Sequence, residues 1–157
     1  MSKKLLWTIV AVVAVVVVAV VAVVFLKPKT EANVEGTLEE IMAKLYEGIS
    51  PENLPMLGQM PVDSESVEYY LGTTEVSFKE ALVSEPMIGS IPHSVVLVRL
   101  NDAKDADAAV AKIKESANPR KWICVQASNV VVESKGDLVV LILVLNVLLL
   151  VLFLHHS

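Results

Sequence analysis

Residues 130–144 read Val-Val-Val-Glu-Ser-Lys-Gly-Asp-Leu-Val-Val-Leu-Ile-Leu-Val, two valine-rich runs around a Lys135-Gly136 turn. β-Branched side chains suit a pleated strand, and a glycine between two such runs permits the backbone of a tight turn. The stretch therefore predicts a β-hairpin. A similar run, Ser94–Leu100 (SVVLVRL), places Val96, Val98 and Leu100 on one side of a strand and Val95, Leu97 and Arg99 on the other. Phe78–Met87 is ambiguous by pattern alone.

Three helices are signalled around these strands. Thr37 is an N-cap and Glu40 completes a capping box; Leu38, Ile41, Met42, Leu45, Tyr46 and Ile49 then form one apolar stripe, which Gly48 and Pro51 end. Residues 51–62 hold three prolines and read as an irregular loop. A shorter helix starts at Asp63 or Ser64, buries Val67, Tyr70 and Leu71, and stops at Gly72. The third covers about 106–117, capped by Asp105, with Ala106, Ala109, Val110, Ile113 and Ala117 inward and Asn118-Pro119 as its terminator. An apolar stretch, Trp122-Ile-Cys-Val125, leads to the hairpin. The expected fold class is α+β: a small antiparallel sheet, β-β-α-β-β, with helices packed on one face.

Composition adds a membrane. The 157 residues are 54% hydrophobic and 20% charged, with a net charge of −5 and a mean hydropathy of +0.60. Collagen, a disulfide scaffold and a wholly disordered chain are excluded. The excess apolarity sits in residues 5–26 and 138–154. Leu5–Leu26 has no charged residue, and as a helix it would be about 33 Å long, enough to cross a hydrocarbon core of about 30 Å. It is longer than a cleavable signal's apolar region, and no A-x-A pattern precedes a plausible cut, so it reads as an uncleaved signal-anchor. Lys3 and Lys4 before it nearly balance Lys27 and Lys29 after it. From Lys27 to Asp137 there are 11 basic and 18 acidic residues, a net −7. The organisation expected is a cytoplasmic tail (1–4), a membrane helix (5–26), a linker (27–36) and an acidic extracytoplasmic domain (37–144). The protein is then single-pass in the cell membrane.

Four strings carry a resemblance: Glu80–Pro86 (EALVSEP), Ser94–Arg99, Pro119-Arg-Lys-Trp-Ile-Cys124 and Gly136-Asp-Leu-Val-Val-Leu141. In their order over roughly 37–143 the chain resembles an uncharacterised domain family of membrane-anchored or lipoprotein-like proteins from clostridial Firmicutes. The resemblance implies an extracytoplasmic α+β domain and carries no functional residue. That family's pattern continues with a polar turn and an amphipathic helix, whereas here Val144 runs into an apolar tail, 145–157. Either 138–154 is a second membrane segment with Asn146 at mid-depth, or 138–144 is the closing strand and the tail is appended to it, as a frame shift near residue 145 would produce. The hairpin favours the strand.

No nucleotide-binding, hydrolase or metal-protease motif occurs, so no catalytic residue, metal or cofactor is expected. Cys124 reads as a buried, inert thiol and His93 as a structural residue at a strand entry. Arg120-Lys121-Trp122 is the one basic and aromatic cluster. As a binding site, Trp122 would stack a ligand and Arg120 would hold its anionic group; otherwise Trp122 is core and both cations are in water. Glu85 is a carboxylate without an obvious partner. The surrounding acidity disfavours nucleic acid. The expectation is a non-enzymatic binding module contacting an envelope protein. The alternatives are an envelope enzyme uniting Glu85, His93 and Arg120, or a defective gene product.

Overall fold

The computed structural model describes residues 32–88 and 91–145. The expected membrane helix at Leu5–Leu26 and the tail beyond Leu145 lie outside them. Among the described residues no helix is long and apolar enough to cross a membrane.

Five strands form one antiparallel sheet: β1 (Leu57–Pro61), β2 (Phe78–Pro86), β3 (His93–Leu100), β4 (Asn129–Lys135) and β5 (Leu138–Val144), in spatial order β1-β2-β3-β5-β4. Three α-helices accompany them: α1 (Leu38–Tyr46), α2 (Val67–Leu71) and α3 (Ala106–Ser116). Leu138–Val144 is a strand bonded to β3 on one side and β4 on the other, not the first half of a helix. The hairpin turn is Gly136-Asp137, with Gly136 at φ +56°, the reversed conformation that a tight strand connection needs.

The strand β1 corrects the reading of 51–62 as irregular throughout. It is an edge strand paired with β2 from Leu57↔Pro86 to Pro61↔Leu82. Proline is tolerated there because an edge strand can leave one N–H position unpaired.

A larger correction concerns the faces. Every residue of β3 is buried. Val96, Val98 and Leu100 share one core with Val83, Leu141, Ile113 of α3 and Leu71 of α2. Val95 and Leu97 share another with Leu82, Ile142 and Leu38, Ile41 and Met42 of α1. Helices therefore cover both faces. The cause lies in the composition of β3 and β5, which are apolar on successive positions rather than alternate ones, as strands buried on both sides must be.

Local signals set the helix ends. The Thr37 N–H donates to Glu40 Oε2 at 3.0 Å and the Glu40 N–H donates to Thr37 Oγ1 at 3.2 Å, closing the capping box of α1. Before α3, the capping carboxylate is Asp102, which accepts from the Lys104 N–H and starts a 3₁₀ turn; Asp105 makes no side-chain cap. The helix α2 is a turn shorter than its pattern suggests, because Asp63 Oδ1 takes the N–H groups of Glu65 and Ser66 into a turn first. Tyr70 is only half-buried. Gly72 ends α2 at φ +77°, and a Cβ there would lie 1.9 Å from the Ser116 carbonyl oxygen at the end of α3.

The segment expected as linker is fixed from residue 32 onward. Buried Arg99 donates from Nη1 to Val34 O at 2.8 Å, from Nη2 to Gly36 O at 2.7 Å and from Nε to Glu80 Oε1 at 2.8 Å, with Asp137 at 3.4 Å. The same segment presses on the hairpin, where a Cβ on Gly136 would come within 2.7 Å of Ala32 O. One guanidinium thus fastens residues 34–36 to β2, β3 and the turn between β4 and β5.

Replacing Arg99 with Met should lower stability by about 3 kcal/mol, because Asp137 and two carbonyls lose their donor while half-exposed Glu80 can turn to water. Urea unfolding followed by circular dichroism measures this. Arg99→Lys should recover only part of it, since one ammonium cannot reach the same set of acceptors.

Candidate functional site

Two polar clusters lie back to back at one end of β2 and β3. Neighbouring residues on a strand point to opposite faces, so Ser84 and Glu85, like His93 and Ser94, are divided between the two cores.

On the face covered by α2 and α3, Glu85 forms an ion pair with Lys121, whose ammonium also donates to Ser94 Oγ at 3.0 Å. The Lys121 side chain is 2% exposed and that of Glu85 12%. Three rings enclose the ammonium, with centroids at 5.0 Å (Tyr69), 4.8 Å (Tyr70) and 5.1 Å (Trp122). Tyr69 and Tyr70 meet edge to face. Burial lowers the Lys121 pKa, and the Glu85 hydrogen bond works against that shift. Tyr69 and Tyr70 move up, first from desolvation and then from the Glu85 charge.

This corrects the expectation that both cations are in water: Lys121 is the buried one. Arg120 is exposed and donates to Gln126 Oε1 at 2.9 Å. Trp122 is partly buried against the core and stacks on the protein's own lysine. The lysine–serine contact has the composition of a nucleophile and a base, but Ser94 has no exposed surface and the paired ammonium is a donor to it.

On the other face, His93 is 2% exposed and its Nε2 lies 2.9 Å from the Tyr46 hydroxyl, itself 3.2 Å from Ser84 Oγ. Which of Nε2 and the Tyr46 hydroxyl donates follows the His93 tautomer, and the hydroxyls of Tyr46 and Ser84 can turn to suit either. Nδ1 has no hydrogen-bond partner among the described residues. Burial lowers the His93 pKa from 6.5 to about 4 and raises that of Tyr46. Glu85 and His93 therefore face away from each other across the sheet, and Arg120 joins neither, so the three-residue enzymatic constellation is not assembled.

Cys124 is exposed rather than buried, in a loop where Ile123 is also exposed and the Cys124 backbone has φ +66°. Among the described residues no three His, Cys, Asp or Glu side chains are grouped to hold a metal ion. An open cavity of about 290 Å³ lies between Glu75, Val76, Leu100, Asp105, Ala109 and Lys112, with Glu75 held by Lys112.

A further group of residues is absent from the sequence reading. Met56 precedes β1, Met87 and Ile88 follow β2, Ile91 precedes β3 and Leu145 follows β5. All are between 43% and 71% exposed. The Met87 N–H donates to Met56 O, and the Leu145 N–H donates to Pro92 O, which ties these ends together. Since β1, β2, β3 and β5 are consecutive in the sheet, the five form a row about 14 Å long across one end of it. Residues 53–62, 86–98 and 138–154 contain no Asp, Glu, Lys or Arg. The opposite end carries Asp63, Glu65, Lys79, Glu80, Asp102, Lys104, Lys135 and Asp137.

Two outcomes check these assignments. Lys121→Met should cost about 3 kcal/mol by stranding the Glu85 carboxylate, and Lys121→Met combined with Glu85→Gln should cost clearly less, in urea titrations at neutral pH. For His93 the folded state excludes a proton that the unfolded chain binds below pH 6.5. Its stabilisation is complete above pH 6.5 and drains away as pH falls toward about 4, by about 3 kcal/mol. His93→Gln should show a shallower loss of stability over that interval than the wild type.

No protein-family model matches the chain, and neither a curated protein nor a solved structure matches it.

Proposed function

We propose that the protein is a membrane-tethered contact module without catalytic activity. The apolar segment Leu5–Leu26 is the tether, the α+β domain lies outside the cytoplasm, and the exposed row is the contacting surface. The row is the observation that carries this reading: five large apolar side chains, gathered from four strand ends, remain in water where ordinary packing would have covered some of them. The envelope localisation follows from the sequence arguments for the anchor and for the acidity of residues 27–137. The resemblance to the uncharacterised membrane-anchored family is consistent with it and rests on the four strings alone.

The remaining chemically capable groups serve the domain itself. Lys121, Glu85 and Ser94 bond one another, His93 bonds Tyr46 through Nε2 and keeps only Nδ1 without a partner among the described residues, and Arg99 is occupied by the entering chain.

A photoreactive phenylalanine derivative placed at Ile88 in the full chain, in native membranes, should give reproducible adducts to a lipid or a protein. The same residue placed at Lys104, at the charged end, should give none. Equal adduct formation at both positions, or its absence at both, defeats the assignment of the row as the contact surface.

A further inference from the structure

We infer that Met56, Met60 and Met87 form an oxidation site, at which peroxide converts their thioethers to sulfoxides and turns part of the exposed row from apolar to polar. The inference deepens the proposed function by giving the contact surface a means of regulation, and it rests on that reading for the contact itself.

The strand pairing gathers the three sulfurs. In the antiparallel pair of β1 and β2, Gly58 stands opposite Glu85 and Met60 opposite Val83. The Met87 N–H, which donates to Met56 O, carries the same register one step past the strand ends. Side chains two residues apart on a strand share a face. Met56, Gly58 and Met60 therefore lie on the same side of the sheet as Val83, Glu85 and Met87. Gly58 leaves open the place between the two methionines of β1, and Met87 lies across it. A Cβ on Gly58 would stand 3.0 Å from Met87 Cγ and 3.6 Å from Met87 Sδ.

Exposure divides the methionines sharply. Met56 is 67% exposed, Met87 66% and Met60 47%, whereas Met42 of α1 is 0% exposed. Of these four, a dissolved oxidant reaches the three on the edge of the sheet and is shut out from the one in the core. Ile88, Ile91 and Leu145, the remaining members of the row, are saturated hydrocarbon and give peroxide nothing to attack. The change is thus confined to the β1–β2 side of the row, where Met56 and Met87 belong to it and Met60 extends it along the edge strand.

The reaction needs only hydrogen peroxide. A lone pair of the thioether sulfur attacks one peroxide oxygen, the S–O bond forms as the O–O bond breaks, and the displaced hydroxide leaves as water with the proton of the transferred oxygen. The sulfur loses two electrons and the peroxide gains them. The product is a polar sulfoxide that accepts hydrogen bonds, which disrupts a methionine-built contact surface. Two thiols reverse the step through a methionine sulfoxide reductase, giving thioether, disulfide and water. None of the three side chains belongs to either core, so the fold survives while its surface changes.

The test uses the full chain in native membranes, with Cys124→Ser to remove the exposed thiol and the photoreactive phenylalanine derivative at Ile88. Hydrogen peroxide should add one oxygen to each of Met56, Met60 and Met87, with Met42 about tenfold slower in peptide mass spectra, and adducts at Ile88 should fall about fivefold. A methionine sulfoxide reductase with dithiothreitol should restore them. A variant with Met56→Leu, Met60→Leu and Met87→Leu should keep its adducts through the same treatment. Adducts that persist on the fully sulfoxidised surface overturn the inference and leave the contact surface standing. Equal loss in the leucine variant overturns it by placing the sensitive group elsewhere. Oxidation of Met42 as fast as the other three overturns it, since the loss then follows from unfolding. Absence of adducts at Ile88 before any peroxide is added overturns both readings.

Discussion

The strand β3 lies between two cores, and none of its eight residues keeps appreciable contact with water. That constraint governs the polar chemistry of the domain. A strand open on one face can turn a polar side chain outward, whereas here His93, Ser94 and Arg99 have to find partners inside the protein. Each does so with a residue distant in sequence: Tyr46 for His93, Lys121 for Ser94, and the backbone at Val34 and Gly36 for Arg99. Three long-range connections fix α1, the 117–128 loop and the incoming segment onto one strand.

The cost of this arrangement is highest at Lys121. Taking an ammonium and a carboxylate out of water is expensive, and their mutual attraction offsets it only where geometry and further hydrogen bonds are favourable. Ser94 supplies one such bond and three ring faces supply quadrupolar attraction. An apolar pair of similar volume could stabilise the domain as well. What the ion pair adds is register: one placement of the 117–128 loop brings Lys121 to Glu85 and leaves no charge stranded. The positive φ at Cys124 and the exposed Ile123 show that this loop is shaped by its anchor at Lys121 rather than by burial of its own apolar residues.

Much of the architecture was legible in sequence because it is local. The Thr37–Glu40 capping box, the Gly72 stop, the alanine-rich α3 and the hairpin around Gly136 each depend on residues a few positions apart. The two-sided sheet was also written there, in runs such as Leu138–Val144 with no alternation, although a single-faced sheet is the commoner reading of a hairpin. The strand β1 was hidden by Pro55 and Pro61, which an edge strand tolerates and a central one does not. The candidate site was least legible. Glu85 stood out as a carboxylate lacking an explanation, but its partner is 36 residues away and no periodicity connects them. Trp122 was read either as a platform for a ligand whose anionic group Arg120 would hold or as core; in the structure its ring faces the ammonium of the neighbouring Lys121, a contact that no spacing in the sequence announces.

The row has the same origin as the buried clusters. Strand ends as far apart in the chain as Met56 and Met87, or Ile91 and Leu145, cannot be seen as one surface until the order β1-β2-β3-β5 is known. Once it is, the domain is polar along its strands. At the Leu100 end, Arg99, Glu80 and Asp137 gather around the chain as it enters, and the loops there are charged. At the His93 end the strand termini carry the apolar side chains of Met56, Met87, Ile88, Ile91 and Leu145, while the 117–128 loop beside them holds exposed Arg120 and buried Lys121. Charged groups secure entry where water is available to solvate whatever the clamp leaves unpaired. Apolar groups cluster where the last strand gives way to an apolar segment.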